Sequence, residues 1–142
     1  MRVCVLYGGS DKESYRLRKL AEQLARGIQE QDCAPTVEVF NIYNEMGRKV
    51  SYYDYYAFGS EAVGTWGGKI PGIVGEFLKN CGTVSGKRFF CFTDKKGLRR
   101  NLTLLTLMRS LEKEGAFITN SEILESESMA YAVGRRLKLA KN

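Results

Sequence analysis

Three short stretches carry most of the side chains in this sequence that could do chemistry. The first is Gly8-Gly9-Ser10-Asp11-Lys12-Glu13-Ser14, directly after an apolar run. A glycine pair ahead of a helix lets the backbone come close to a ligand. The free N–H groups and positive end of such a helix suit a phosphate. Gly8, Gly9, Ser10, Lys12 and Ser14 are the candidates for that task. Asp11 and Glu13 oppose it, since carboxylates at a helix mouth repel an anion and compete for the same donors. A second reading stands beside the first. Ser10-Asp11-Lys12-Glu13 has the spacing of a capping box, in which Ser10 caps the N–H of Glu13 and Glu13 reaches back. A helix capped in that way needs no ligand, and the sequence leaves both readings open.

The second stretch runs from Ser60 to Pro71 and holds Gly64, Thr65, Trp66, Gly67 and Gly68. Trp66 is the only tryptophan. Among glycines its indole is placed to stack on a flat ring, the alternative being a tryptophan packed over a helix. The third stretch is Asp94-Lys95-Lys96-Gly97, followed by Arg99 and Arg100, the densest basic cluster in the chain. Cations at the start of a helix are disfavoured. Their presence points to a use of Lys95, Lys96 and Arg99 at a ligand rim, towards an acidic partner or an anionic ligand.

Composition removes several classes of chemistry. With no histidine, Ser-His-Asp and Cys-His catalysis are excluded, and any chemistry falls to a cofactor. The four cysteines show no CxxC spacing, so a zinc site is not expected. Cys4 and Cys91 lie inside apolar runs and are expected to act as small buried hydrophobes. The net charge of +6 is spread along the chain, without the concentrated basic stripe of a nucleic-acid binder. No apolar run has the length of a membrane span, and the sequence starts at once as a strand, so a cytoplasmic location is expected.

The elements that must position these stretches alternate in type. Arg2 to Tyr7, Thr36 to Ile42, Tyr55 to Gly59, Lys87 to Thr93 and Ala116 to Leu124 are predicted strands. Leu17, Leu20, Ala21, Leu24, Ala25 and Ile28 share one helical face. Ile73, Val74, Phe77 and Leu78 mark a short helix, and Leu104, Leu105, Met108 and Leu111 another, ending near Gly115. The last helix is expected to carry Met129, Val133, Arg136, Leu137 and Ala140, capped by Ser126 or Ser128. The tyrosines 52, 53, 55 and 56 read mostly as packing of the third strand. Continuous apolar strands mean burial on both faces, hence a parallel sheet with helices on each side. Right-handed crossovers then bring the three stretches together at the carboxyl ends of the strands. No repeat or linker is visible, and residues 1–142 read as one domain.

The chain resembles the short-chain flavodoxin-like family over its whole length. The match lies in Asp54-Tyr55-Tyr56-Ala57-Phe58-Gly59-Ser60, Trp66-Gly67-Gly68-Lys69-Ile70-Pro71, Glu76-Phe77-Leu78 and Gly86-Lys87-Arg88-Phe89-Phe90. The resemblance implies a doubly wound, five-stranded parallel sheet of order 2-1-3-4-5 and electron transfer by bound FMN. It implies a redox carrier rather than a turnover enzyme, meeting a redox partner near Lys95, Lys96 and Arg99. The cofactor-binding residues would be Gly8, Gly9, Ser10, Lys12, Ser14, Ser60, Thr65, Trp66, Gly67, Gly68, Asp94 and Gly97. The chain departs from the family in the first loop, which is shorter and carries Asp11 and Glu13. It also lacks the aromatic residue that covers the second flavin face in many flavodoxins. A flavin-dependent quinone reductase and a binding module that has lost the flavin are the alternatives on the same fold.

Overall fold

The computed structural model describes residues 1–140. The five apolar runs are strands: β1 Arg2–Gly8, β2 Thr36–Asn41, β3 Tyr55–Ser60, β4 Arg88–Thr93 and β5 Phe117–Ile123. The helices are α1 Tyr15–Gln29, α2 Gly72–Asn80, α3 Arg100–Lys113 and α4 Glu127–Arg136. The sheet order is β2-β1-β3-β4-β5 with every pairing parallel, as expected. Between β2 and β3 the chain forms only a 3-10 turn, Ile42–Asn44. The connection is too polar to supply an apolar helical stripe.

The three central strands β1, β3 and β4 are buried on both faces because they are apolar at nearly every position, while the edge strands β2 and β5 carry polar residues and are only partly covered. Val3, Val5, Tyr55, Ala57, Phe90 and Phe92 point towards α1 and α4. Cys4, Tyr56, Phe58, Phe89 and Cys91 point the other way, into a second core that takes in Phe77, Leu78, Leu107 and Leu111 of α2 and α3. The first and last helices thus share one layer and the middle two the other. In β5 one extra residue, Thr119, opposes the step between Phe89 and Phe90, a bulge in that strand.

The last helix is shorter than its apolar pattern suggests. It ends at Arg136, with Leu137 already extended. The Gln31 amide donates to the carbonyls of Gly134 and Leu137, at 2.8 and 2.9 Å, and so fixes that end. Leu137 and Leu139 are buried as an extended tail rather than as a helical stripe. At the other end Ser126 caps α4, its Oγ accepting from the Met129 N–H at 3.1 Å.

Helices α1 and α4 approach through Gly27 and Gly134. A methyl group at Gly134 would collide with the Leu24 carbonyl oxygen, and one at Gly27 with that of Tyr131. Gly75 in α2 has open space around it. Gly134→Ala is therefore expected to destabilise by about 1–3 kcal/mol through overpacking. Gly75→Ala should stabilise by up to about 1 kcal/mol through helix propensity. Urea unfolding midpoints of the two variants, moving in opposite directions, check this.

Candidate functional site

The three stretches converge at the carboxyl ends of β1, β3 and β4, as the topology requires. The first loop does not form the capping box. Helix α1 starts only at Tyr15, after Ser14 in a left-handed conformation with φ 48°. The Asp11 carboxylate accepts the Ser14 N–H at 2.8 Å, and Ser14 Oγ donates to the Asp11 carbonyl at 2.7 Å. The same Oγ accepts the Gly9 N–H at 2.8 Å. An aspartate that folds onto the backbone three residues on makes a turn of its own, and this local bond wins over the Ser10–Glu13 pairing. Glu13 and Lys12 are exposed.

The decisive group in this loop is one that sequence reasoning missed. Glu61 follows β3 directly and is 9% exposed. Its carboxylate accepts the Ser10 N–H at 3.1 Å and pairs with Lys96 Nζ at 3.3 Å. Lys96 also donates to Ser10 Oγ at 3.0 Å. A side chain at Gly9 would collide with the Glu61 carboxylate. The carboxylate thus lies against the Gly9 backbone. The only signal in the sequence was an ionisable residue at the carboxyl end of a buried strand. Tyr43 was missed as well: its hydroxyl donates to the Gly9 carbonyl at 2.7 Å. Burial, then Asp11 and Glu61, hold its pKa above the usual range. Asn41 adds a bond from its amide to the Lys12 carbonyl at 2.9 Å.

The second and third loops are joined to each other. Leu98 N–H donates to the Thr65 carbonyl at 3.0 Å and Arg99 N–H to that of Trp66 at 2.8 Å. Gly97 packs against the Gly67 backbone, where a methyl would come within 3.3 Å of Gly67 Cα. Gly68 is held by α3, donating to Thr103 Oγ1 at 2.8 Å and accepting from Thr106 Oγ1 at 2.9 Å. These glycines serve loop-to-loop and loop-to-helix contact. Trp66 itself points outward, 71% exposed, beside Leu98 at 73%. Ser60 is buried and donates to the Gly8 carbonyl at 2.8 Å, tying β3 to β1.

Asp94 is 2% exposed. One oxygen accepts the Lys96 N–H at 2.9 Å, while Oδ2 has no hydrogen-bond partner. Arg16 approaches Oδ2 only to 4.0 Å. Burial, and after it the nearby Glu61, push the Asp94 pKa up, although the Lys96 N–H opposes this. Ionised Asp94 is therefore disfavoured in the fold. Stability drawn from the protonated group is present below the unfolded pKa of roughly 3.9 and is lost as pH rises through the folded value. Asp94→Asn removes the titrating group, so its stability is expected to fall less than that of the wild type between about pH 4 and pH 7. Thermal melts at the two pH values check it.

No protein-family model matches the sequence, and no curated protein matches it either. Among solved structures, the oxidised flavodoxin 1 of Bacillus cereus superposes with a TM-score of 0.68 at 17% identity, over 93% of this chain and 94% of that one. The Streptococcus pneumoniae TIGR4 flavodoxin gives 0.69 at 13% identity, over 95% and 97%. The flavodoxin-type WrbA-like protein of Agrobacterium tumefaciens gives 0.62 at 18% identity, over 96% and 94%. Strand order, parallel pairing and helix layers agree with these likenesses, and the chain has the flavodoxin-like fold.

Proposed function

We propose that this chain is a flavodoxin-fold binding module that engages an acidic protein partner at the rim of its crevice, and that it has given up the flavin. The observation that carries this reading is Glu61 on the first loop. FMN is the cofactor that the resemblance implies, and the residues here do not fit it. A phosphate over residues 9–14 needs the backbone N–H groups of that loop. Those of Gly9, Ser10 and Ser14 are already taken by Ser14 Oγ, Glu61 and Asp11. A phosphate would also meet the buried Glu61 carboxylate. Its ring would have to enter where residues 65–67 and 97–99 are hydrogen-bonded together. The same obstacles weigh against a flavin-dependent quinone reductase.

What supports a protein partner is the surface over the joined loops. Trp66, Leu98 and Val63 are exposed there. Lys95 and Arg99 are exposed beside them, and neither has a salt-bridge partner among the described residues. Lys96 and Arg100, in contrast, are engaged by Glu61 and Glu125. An aromatic and aliphatic centre with cations around it has the composition of an interface core and rim. In a chain of net charge +6 the complementary surface is acidic. No helix among the described residues is long and apolar enough to cross a membrane.

Two measurements test this reading. In a fluorescence titration with FMN, the wild type should show no saturable quenching at micromolar protein. Glu61→Ala should bind FMN or inorganic phosphate at least tenfold better than wild type. Two unit charges about 4 Å apart repel by about 4 kcal/mol at an effective dielectric constant near 20. A wild type that holds FMN stoichiometrically would overturn the reading. In pull-downs at low salt, immobilised wild type should retain an acidic protein that a Trp66→Ala, Arg99→Gln variant loses. The retention should also disappear at about 0.5 M salt, where the Debye length falls to roughly 4 Å.

A further inference from the structure

We infer that Thr103, in the first turn of α3, is a positioning residue for the docking surface, its hydroxyl fixing Trp66 and Arg99 in one pose. The partner then meets a preformed aromatic knob with a cation beside it. This deepens the acidic-partner proposal, on which it rests, by adding the shape that such a partner must offer.

Trp66 and Arg99 come from different loops, and a single buried oxygen joins them. Thr103 is 1% exposed. Its Oγ1 accepts the Gly68 N–H at 2.8 Å and donates to the Arg99 carbonyl at 3.3 Å. Between those two bonds the Arg99 N–H donates to the Trp66 carbonyl at 2.8 Å. The loop lies directly on the start of α3, where a methyl group at Gly67 would come within 3.0 Å of Thr103 Oγ1 and 3.2 Å of the Arg99 nitrogen. Thr106 completes the clamp. Its Oγ1 lies 2.9 Å from both the Gly68 and Leu102 carbonyls and shares its proton between them. A helical threonine commonly turns its hydroxyl back onto its own helix and stops there. Here two threonines do so and also hold both backbone polar groups of Gly68.

The loop needs such a clamp. Gly64, Gly67 and Gly68 all have positive φ, and glycines lose the most conformational freedom on ordering. An exposed tryptophan on a free loop would bear that cost at each binding event, and a loop ordered in advance does not. The pose also says what fits it. Trp66 and Leu98 stand outward on the joined loops, with Lys95 and Arg99 exposed beside them. A fixed, projecting indole buries most of its area in a pocket rather than on a flat face. The cations around it call for carboxylates on the rim of that pocket. The partner's contact surface is therefore an apolar pocket edged with acids.

The test uses the full chain with Thr103→Val, which keeps the side-chain shape and removes the hydroxyl, and Thr103→Ser, which restores it. Hydrogen exchange is followed at the Leu98 and Arg99 N–H groups, whose own acceptors neither substitution alters. Exchange there should be about tenfold faster in Thr103→Val and close to wild type in Thr103→Ser, with the amides of β1 and β3 keeping their protection. Thr106→Val, at a less buried position, should change in the same direction by a smaller factor. A poly(Glu,Tyr) copolymer, titrated at low salt and read by Trp66 emission, supplies carboxylates and rings as a probe of binding. Wild type and Thr103→Ser should bind it alike, and Thr103→Val about threefold more weakly. The positioning role is overturned if exchange at Leu98 and Arg99 is unchanged in Thr103→Val, if it rises equally in the strands, or if serine does not rescue it. Equal copolymer affinity of Thr103→Val and wild type would overturn it as well. A wild type that ignores the copolymer while exchange behaves as expected would instead overturn the acidic-partner reading.

Discussion

The carboxylate of Glu61 governs the mouth of this molecule. It sits at the end of β3, is buried, and reaches across to the first loop, where it accepts the Ser10 N–H. Lys96 comes from the loop after β4 to neutralise it and to hold Ser10 Oγ. One ion pair thereby links all three loops that a parallel doubly wound sheet brings to its carboxyl edge. A largely buried charge is tolerable only when it is paired and hydrogen-bonded, and both conditions are met here. The consequence is an anion seat that already contains an anion.

The rest of the crevice follows from that closure. Asp11 and Ser14 take up further loop donors, and Tyr43 and Asn41 bind the loop to the β2 side. On the other side the backbones at 65–66 and 98–99 are hydrogen-bonded, so Trp66 and Leu98 are pushed outward. The fold beneath is rigidly specified. Two apolar cores sandwich the sheet, and α1 and α4 meet backbone to backbone at Gly27 and Gly134. Among the described residues, Thr93 Oγ1 and Asp94 Oδ2 are the exceptions to the general satisfaction of buried polar side chains.

The architecture was legible because it is written in long patterns. Continuous apolar strands alternate with helical stripes, and handedness leaves few ways to connect them. The glycines and Trp66 were correctly placed at the carboxyl edge, but their use was not legible. A glycine admits a ligand or a neighbouring loop equally well. At Gly67, Gly68 and Gly97 the neighbour is protein. The capping-box spacing at Ser10 to Glu13 was misleading, since Asp11 formed a tighter local turn first. Glu61 escaped notice because its effect depends on a partner 51 residues away in the chain. The end of α4 was overrun for a similar reason. Leu137 and Leu139 are buried, but by an extended tail that only tertiary packing defines.

What occupies the first loop decides whether the crevice is closed or holds a flavin. A crystal structure of the chain grown in a large excess of FMN addresses it directly. The expected result is the Glu61 carboxylate on the Ser10 N–H and Lys96, with the Thr65–Leu98 and Trp66–Arg99 hydrogen bonds intact and no flavin between the loops. A flavin phosphate over residues 9–14, with Glu61 swung away and the two loops parted around the ring, would contradict it.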